Sequence, residues 1–223
     1  PCGHVYAGCV ATAASMIMKY HHHPHHGSGS YSYVHPTYGT QSANYAATTY
    51  DWGNMPKFDA NADVAQLLYH MGVAVDMDYG PSGSGASSAL VVNALETYFN
   101  YDPVATWNYK ASYTDPVWEG MVMAELDAER PLYYRGQGGQ GGHAFVCDGY
   151  DDDYSGSGNI YFHFNWGWSG AYNGYYQLSA LNPGTYSFTN DQAASFNLKP
   201  RTDVVPTSLF NANANTACVG NIV

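Results

Sequence analysis

The chain changes character at Arg130. Before that point its apolar residues recur at helical spacing. Val10, Ala13, Ala14 and Ile17 fall at i, i+3, i+4 and i+7 and predict a helix over 9–20, entered from Gly8 and ended by Pro24. Val64, Leu67, Leu68 and Met71 predict a second over 62–71 with Gly72 as its stop. A third is expected at 87–99, capped by Ser87 or Ser88. A fourth is expected at 116–129, with Asp115 as N-cap and Pro116 in the first helical position. After Arg130 the runs Leu132–Arg135, His143–Asp148, Ile160–Asn165, Tyr175–Leu178 and Ala193–Leu198 are short, aromatic and separated by turn residues, the pattern of antiparallel strands. Helices first and sheet second predict an α+β fold with two lobes. Residues 25–58 read as irregular loop with short strands, and Gly80-Pro81-Ser82-Gly83-Ser84-Gly85 as a flexible loop. With 223 residues the chain holds one large domain, placed at 1–200, and the Asn-, Ala- and Thr-rich 201–223 reads as a tail or linker.

Charge narrows the function classes. Seven Lys and Arg stand against 18 Asp and Glu, a formal net charge of -11, and the basic residues do not cluster. Binding nucleic acid requires clustered cations to neutralise phosphates, so that class is excluded, and an anionic membrane surface is disfavoured for the same reason. No run of 18 apolar residues suggests a membrane-spanning helix. Only 11 % of residues are charged, while Tyr (22) and Gly (24) are abundant, a composition that suits an extracellular protein. No signal peptide is visible, and Pro1-Cys2-Gly3-His4 reads like the start of a processed or truncated form rather than a translation start. Cys2, Cys9, Cys147 and Cys218 contain no CxxC pair, which argues against a disulfide framework or a zinc site. Cys147, in Ala144-Phe145-Val146-Cys147, reads as an inert buried thiol.

Cys9 has other surroundings. A thiol nucleophile needs a site that favours thiolate, a nearby imidazole and a group that orients the imidazole. A helix N-terminus meets the first need through its free N–H groups and dipole, and Gly8-Cys9-Val10-Ala11-Thr12-Ala13 places Cys9 there, its own N–H directed at a developing oxyanion. The imidazole candidate is His143, which follows Gly141 and Gly142 at the start of a buried strand. The orienting candidate is Asn165, in Phe164-Asn165-Trp166-Gly167-Trp168, with a flanking Trp to shield the bond from water. The order Cys, His, Asn is that of papain-like enzymes.

Four blocks carry a family resemblance: Gly8–Ala13 with Ile17-Met18-Lys19-Tyr20-His21, then Val75–Ser82, Gly141–Val146 and Asn165–Trp168. In these blocks, in this order, the chain resembles the streptopain (C10) family of cysteine peptidases over about residues 3–200. The resemblance implies a papain-like fold and a secreted endopeptidase acting on protein or peptide substrates. It also implies synthesis as a zymogen with an inhibitory pro-segment, and a preference for a hydrophobic side chain two positions before the scissile bond. Cys9, His143 and Asn165 are the expected catalytic residues; Ser82, Ser84, Gly141, Gly142, Trp166 and Trp168 are the expected substrate-binding ones. The chemistry calls for no metal or organic cofactor. The sequence begins eight residues before Cys9, so an upstream oxyanion glutamine of the family type has no counterpart to name. Arg135 stands where the family resemblance implies an uncharged polar residue, which suggests a different subsite preference.

Plainer readings stand beside these. His21-His22-His23-Pro24-His25-His26 offers imidazoles to a metal but no companion carboxylate or thiolate, and reads as a solvated turn. Asp151-Asp152-Asp153 lacks the alternation of a calcium loop and reads as a hairpin tip. A transglutaminase-like acyltransferase would share the Cys–His relay but take an Asp as third member. A non-catalytic, aromatic-rich module that binds carbohydrate would have no use for the thiol.

Overall fold

The computed structural model describes residues 5–57 and 59–202. Cys2, Cys218 and all but the first two residues of the expected tail lie outside them. Four helices, α1 (Cys9–His21), α2 (Ala62–Ala74), α3 (Leu90–Tyr98) and α4 (Asp115–Asp127), combine with eight strands. β1 (Ser30–His35) and β2 (Gly39–Asn44) form a hairpin within the loop-rich segment. The other six are β3 (Thr106–Tyr109), β4 (Leu132–Gly138), β5 (Gly141–Asp151), β6 (Tyr161–Asn165), β7 (Gly174–Tyr176) and β8 (Asn190–Phe196). They make one antiparallel sheet in the order β3-β8-β4-β5-β6-β7. The α+β expectation is met.

The sheet separates two apolar cores. Successive side chains of a strand point to opposite faces. Tyr133, Ala144 and Val146 therefore join the core built on α1, α2 and α3, while Leu132, Tyr134, Phe145, Cys147, Phe162 and Phe164 join the one closed by Trp118 and Val122 of α4. β4 and β5 are covered on both faces, which is why their sequences read as continuous apolar runs rather than alternation. Ala11, Ala13 and Ala14 of α1 are fully buried, and their small side chains let the helix lie close on β4 and β5.

Several local expectations change. Gly72 lies inside α2 rather than ending it; a Cβ there would sit 2.1 Å from the Tyr79 hydroxyl, so the glycine serves close packing. α3 begins at Leu90 with Ala89 at its N-cap, and Ser88 instead hydrogen-bonds the Tyr133 hydroxyl at 2.8 Å. Asp115 is the first residue of α4 and Thr114 its N-cap. β3 was not signalled by the sequence; its four residues pair with β8 at the sheet edge. Leu178 belongs to the buried core beyond β7 rather than to that strand.

The segment Ser187-Phe188 crosses β4 so closely that a Cβ on Gly136 would lie 2.1 Å from the Phe188 carbonyl oxygen, and one on Gly138 1.8 Å from that of Ser187. Gly139, in the turn between β4 and β5, has open space around it. Gly136→Ala is expected to cost ~1–3 kcal/mol as an overpacking change. Gly139→Ala is expected to change stability by less than ~1 kcal/mol. Urea unfolding of the two variants checks the contrast; equal stabilities would contradict it.

Candidate active site

Cys9 is the first residue of α1 and is partly buried against the helical core. It sits among the N–H groups that a helix leaves unpaired in its first turn, where negative charge is favoured. Gly8 is required here. Its φ is +89°, and a Cβ would lie 2.8 Å from Met77 Sδ and 3.1 Å from the Ser84 carbonyl oxygen. Thr12 closes the turn, its N–H and Oγ1 donating to the Gly8 carbonyl at 3.1 and 3.0 Å. Ser84 clamps the entering chain: its Oγ donates to the Tyr6 carbonyl at 2.6 Å and accepts from Gly80 N–H at 3.1 Å. Ser82 is exposed in the same loop.

His143 is the third residue of β5. Its Nε2 lies 2.8 Å from the Trp166 carbonyl oxygen. A carbonyl only accepts, so Nε2 carries the proton and, in the neutral ring, Nδ1 is left with a free lone pair. That is the tautomer a general base needs. The ring is stacked by Trp168 at 4.7 Å and 24°, and flanked by Phe188 at 5.2 Å and Phe145 at 5.8 Å. Burial among these aromatics pulls the imidazole below its ordinary pKa, and the Trp166 bond offsets part of that shift. Gly141 (φ +108°) and Gly142 are exposed just ahead of it.

A chain of contacts joins the two halves of the site. α1 packs on β5, and the Thr12 methyl lies 3.2 Å from where a Cβ on Gly167 would be. Gly167 follows the residue whose carbonyl holds the imidazole. The first turn of the helix that begins with Cys9 therefore rests on the turn that positions His143.

Asn165 is placed differently from expectation. It pairs with Val146, which faces α1, whereas His143 packs with Phe145 and Phe188 of the opposite core. Its Oδ1 accepts from Gly167 N–H at 3.0 Å, so it shapes the Trp166–Gly167 turn, while the bond to the ring comes from the Trp166 main chain. Trp166 is fully buried, so its indole is core packing rather than a surface for substrate. Trp168 is half-buried beside His143. Sequence reasoning missed the Trp166 carbonyl, which has no residue-type signature, and Phe188, which is 45 positions from His143 and lies in no recognised block.

The remaining candidates fall away from this constellation. Cys147 is fully buried, and burial raises its pKa well above the usual thiol value. Among the described residues no group of three His, Cys, Asp or Glu side chains is placed to hold a metal ion. Asp151 and Asp153 accept main-chain N–H groups of their own turn. Arg135 pairs with Asp191 at 3.0 Å.

Comparison with known proteins places these features in context. The profile of the peptidase C10 family matches residues 1–176. Streptopain of Streptococcus pyogenes is 35 % identical over 218 residues, an alignment covering 88 % of this chain and 53 % of streptopain. The thiol protease/hemagglutinin PrtT of Porphyromonas gingivalis is 34 % identical over 221 residues, covering 90 % of this chain and 24 % of PrtT. The chain thus spans about half the length of streptopain. The solved structure of active wild-type interpain A cysteine protease of Prevotella intermedia superposes with a TM-score of 0.75 at 37 % identity, over 86 % of this chain and 82 % of that one. A prointerpain A fragment gives 0.71 and 38 %, over 86 % and 62 %.

The lowered pKa of His143 has a defined sign. The fold holds the ring neutral, so its contribution to stability is fully present above the unfolded value of about 6.5 and is lost as pH falls toward the lower folded value. In a Cys9→Ser background, which removes any thiolate, the His143 ring protons are expected to titrate below pH about 6.5 by NMR. His143→Gln in that background is expected to flatten the fall of Tm on acidification. A titration at or above the ordinary value would contradict the burial.

Proposed function

The chain belongs to the peptidase C10 family, and from that premise we propose that it is the catalytic part of a cysteine endopeptidase, with Cys9 as nucleophile and His143 as general base and acid. One observation carries the assignment: a thiol at the N-terminus of a buried helix whose first turn rests on the turn holding an imidazole in its proton-accepting tautomer. We read the two cores as the two lobes of a papain-like fold, with the site where α1 meets the start of β5. Trp166 supplies through its carbonyl the orienting bond that Asn165 was expected to supply through its amide, and Asn165 acts by holding the turn.

In the proposed reaction His143 Nδ1 takes the Cys9 thiol proton. The resulting imidazolium is held by the Trp166 carbonyl and balanced by the thiolate, which offsets the cost of a charged ring in an aromatic pocket. Sγ attacks the substrate carbonyl carbon. The electron pair moves to oxygen, which accepts a hydrogen bond from Cys9 N–H. Collapse breaks the C–N bond as Nδ1–H gives its proton to the leaving amine. His143 then takes a proton from water, the hydroxide attacks the thioester, and Sγ leaves and is reprotonated. The exposed Gly141, Gly142 and Ser82 and the flank of Trp168 are the surfaces offered to a substrate chain, and Ser84 acts through its clamp on Tyr6.

The likeness to prointerpain A supports synthesis as a zymogen with an inhibitory pro-segment. Among the described residues no helix is long and apolar enough to cross a membrane. Secretion from a bacterium is part of the same proposal, as are protein or peptide substrates. Family membership disfavours a transglutaminase-like acyltransferase and a non-catalytic aromatic binding module.

Iodoacetamide is expected to modify Cys9 in preference to Cys147 and to abolish casein hydrolysis. Cys9→Ala is expected to lower kcat/KM by ~10⁴ or more, and His143→Ala by ~10³ or more. Asn165→Ala is expected to cost about tenfold or less, because the carbonyl remains. Unchanged hydrolysis after selective labelling of Cys9 would sink the assignment. An Asn165→Ala loss equal to that of His143→Ala would restore the amide as the orienting group.

A further inference from the structure

A cavity of about 610 Å³ lies between α1, α2, the segment around Met55 and residues of β5 and β6, with Thr12 and Asn165 also in its lining. Its wall is apolar, formed chiefly by Met16, Ile17, Val64, Leu67 and Leu68. Ser15, which is buried with an unpartnered hydroxyl, lies in its lining. The volume is typical of a small-molecule site, and such a site joins an apolar body to a few polar anchors.

The anchors are cationic. In a chain with only seven Lys and Arg, Lys110, Arg130, Arg135 and Lys199 pair with carboxylates, and Arg201 is also engaged. The other two, Lys19 and Lys57, both line this cavity, and among the described residues neither forms an ion pair. Lys19 donates to the Trp52 carbonyl and keeps further N–H donors. Two carboxylates also line the cavity: Asp148 is held by His163 at 2.5 Å, and Asp59 makes no ion pair among the described residues.

We propose that this cavity binds a single-headed amphipathic carboxylate, its acyl chain along α1 and α2 and its head at Lys19 and Lys57. A peptide fits less well, because the apolar wall would leave its amides unpaired. The test is calorimetric titration of the intact chain with decanoate below its micellar concentration, with 1-decanol as neutral control. Saturable one-to-one binding with Kd between about 1 and 100 µM is expected. Weaker binding of decanol and at least a tenfold loss in Lys57→Glu are also expected. Leu68→Arg, which places a charge in the wall, is expected to abolish binding; Lys57→Glu, at an exposed position, keeps the test decisive should that variant fail to fold. Absence of saturable heat, equal binding of decanol, or an unchanged Kd in Lys57→Glu overturns the proposal. So does an acidic peptide that binds where decanoate does not.

Discussion

Burial of β4 and β5 on both faces is the constraint on which the rest of the molecule depends. A strand packed on one side can slip or tilt, whereas one clasped by two cores has its register fixed from both directions. Tyr133 and Val146 lock one face, and Tyr134, Phe145 and Cys147 the other. The Tyr134 hydroxyl extends that lock by accepting from Trp118 Nε1 at 2.9 Å and donating to Gln192 at 2.6 Å, tying α4, β4 and β8 together. His143 inherits its position from this frame. It stands where β5 leaves the doubly covered zone, close enough to the core to be held and near enough to the strand end to be reached.

The same frame explains how a chain with few charges stays ordered. One buried ionic element is prominent: Glu125 of α4 takes both Arg130 Nε and Nη2, at 2.7 and 2.8 Å, and the Asn197 N–H at 2.9 Å. Its satisfied geometry joins the end of α4 to the chain leaving β8. Elsewhere aromatic rings carry the load through the large apolar area each one buries. The polar tips of Tyr79, Tyr101, Trp107 and Trp166 are buried without a partner, whereas other Tyr and Trp tips find one. Tyr33 exemplifies this: its hydroxyl donates to the Met77 carbonyl at 2.5 Å, and burial pushes it up to about 12. That bond links the β1–β2 hairpin to the loop that braces Gly8. The region that looked irregular in sequence is thus part of the support for Gly8 and Cys9.

What the sequence disclosed follows from periodicity and residue type. Four helices and five of the six main-sheet strands were legible because their apolar spacing is local information; β3 was not, because four residues at a sheet edge leave almost no pattern. Gly72 misled because a glycine that ends a helix and one that admits a neighbouring tyrosine look alike in a string of letters. Cys9 and His143 stood out through their glycine neighbours and family blocks. Asn165 was assigned to the imidazole on its amide, its place after Cys9 and His143 in the chain and its family block, none of which says which way its side chain turns. The alternation that turns its side chain toward α1 becomes visible only once Val146 is known to be its partner across β5 and β6.

That displacement has a physical logic. A side-chain amide that orients an imidazole must itself be held in one rotamer, at an entropic cost. A main-chain carbonyl at the end of a paired strand is already fixed by the sheet, and Asn165, by capping Gly167 N–H, fixes the turn that aims it. The fully buried Trp166 ring anchors that turn in the core, so the same residue that supplies the acceptor also immobilises it. Orientation of the His143 ring is in this way a property of the backbone, secured by packing on either side, and the identity of the side chain nearest in sequence matters less than the register that places the carbonyl.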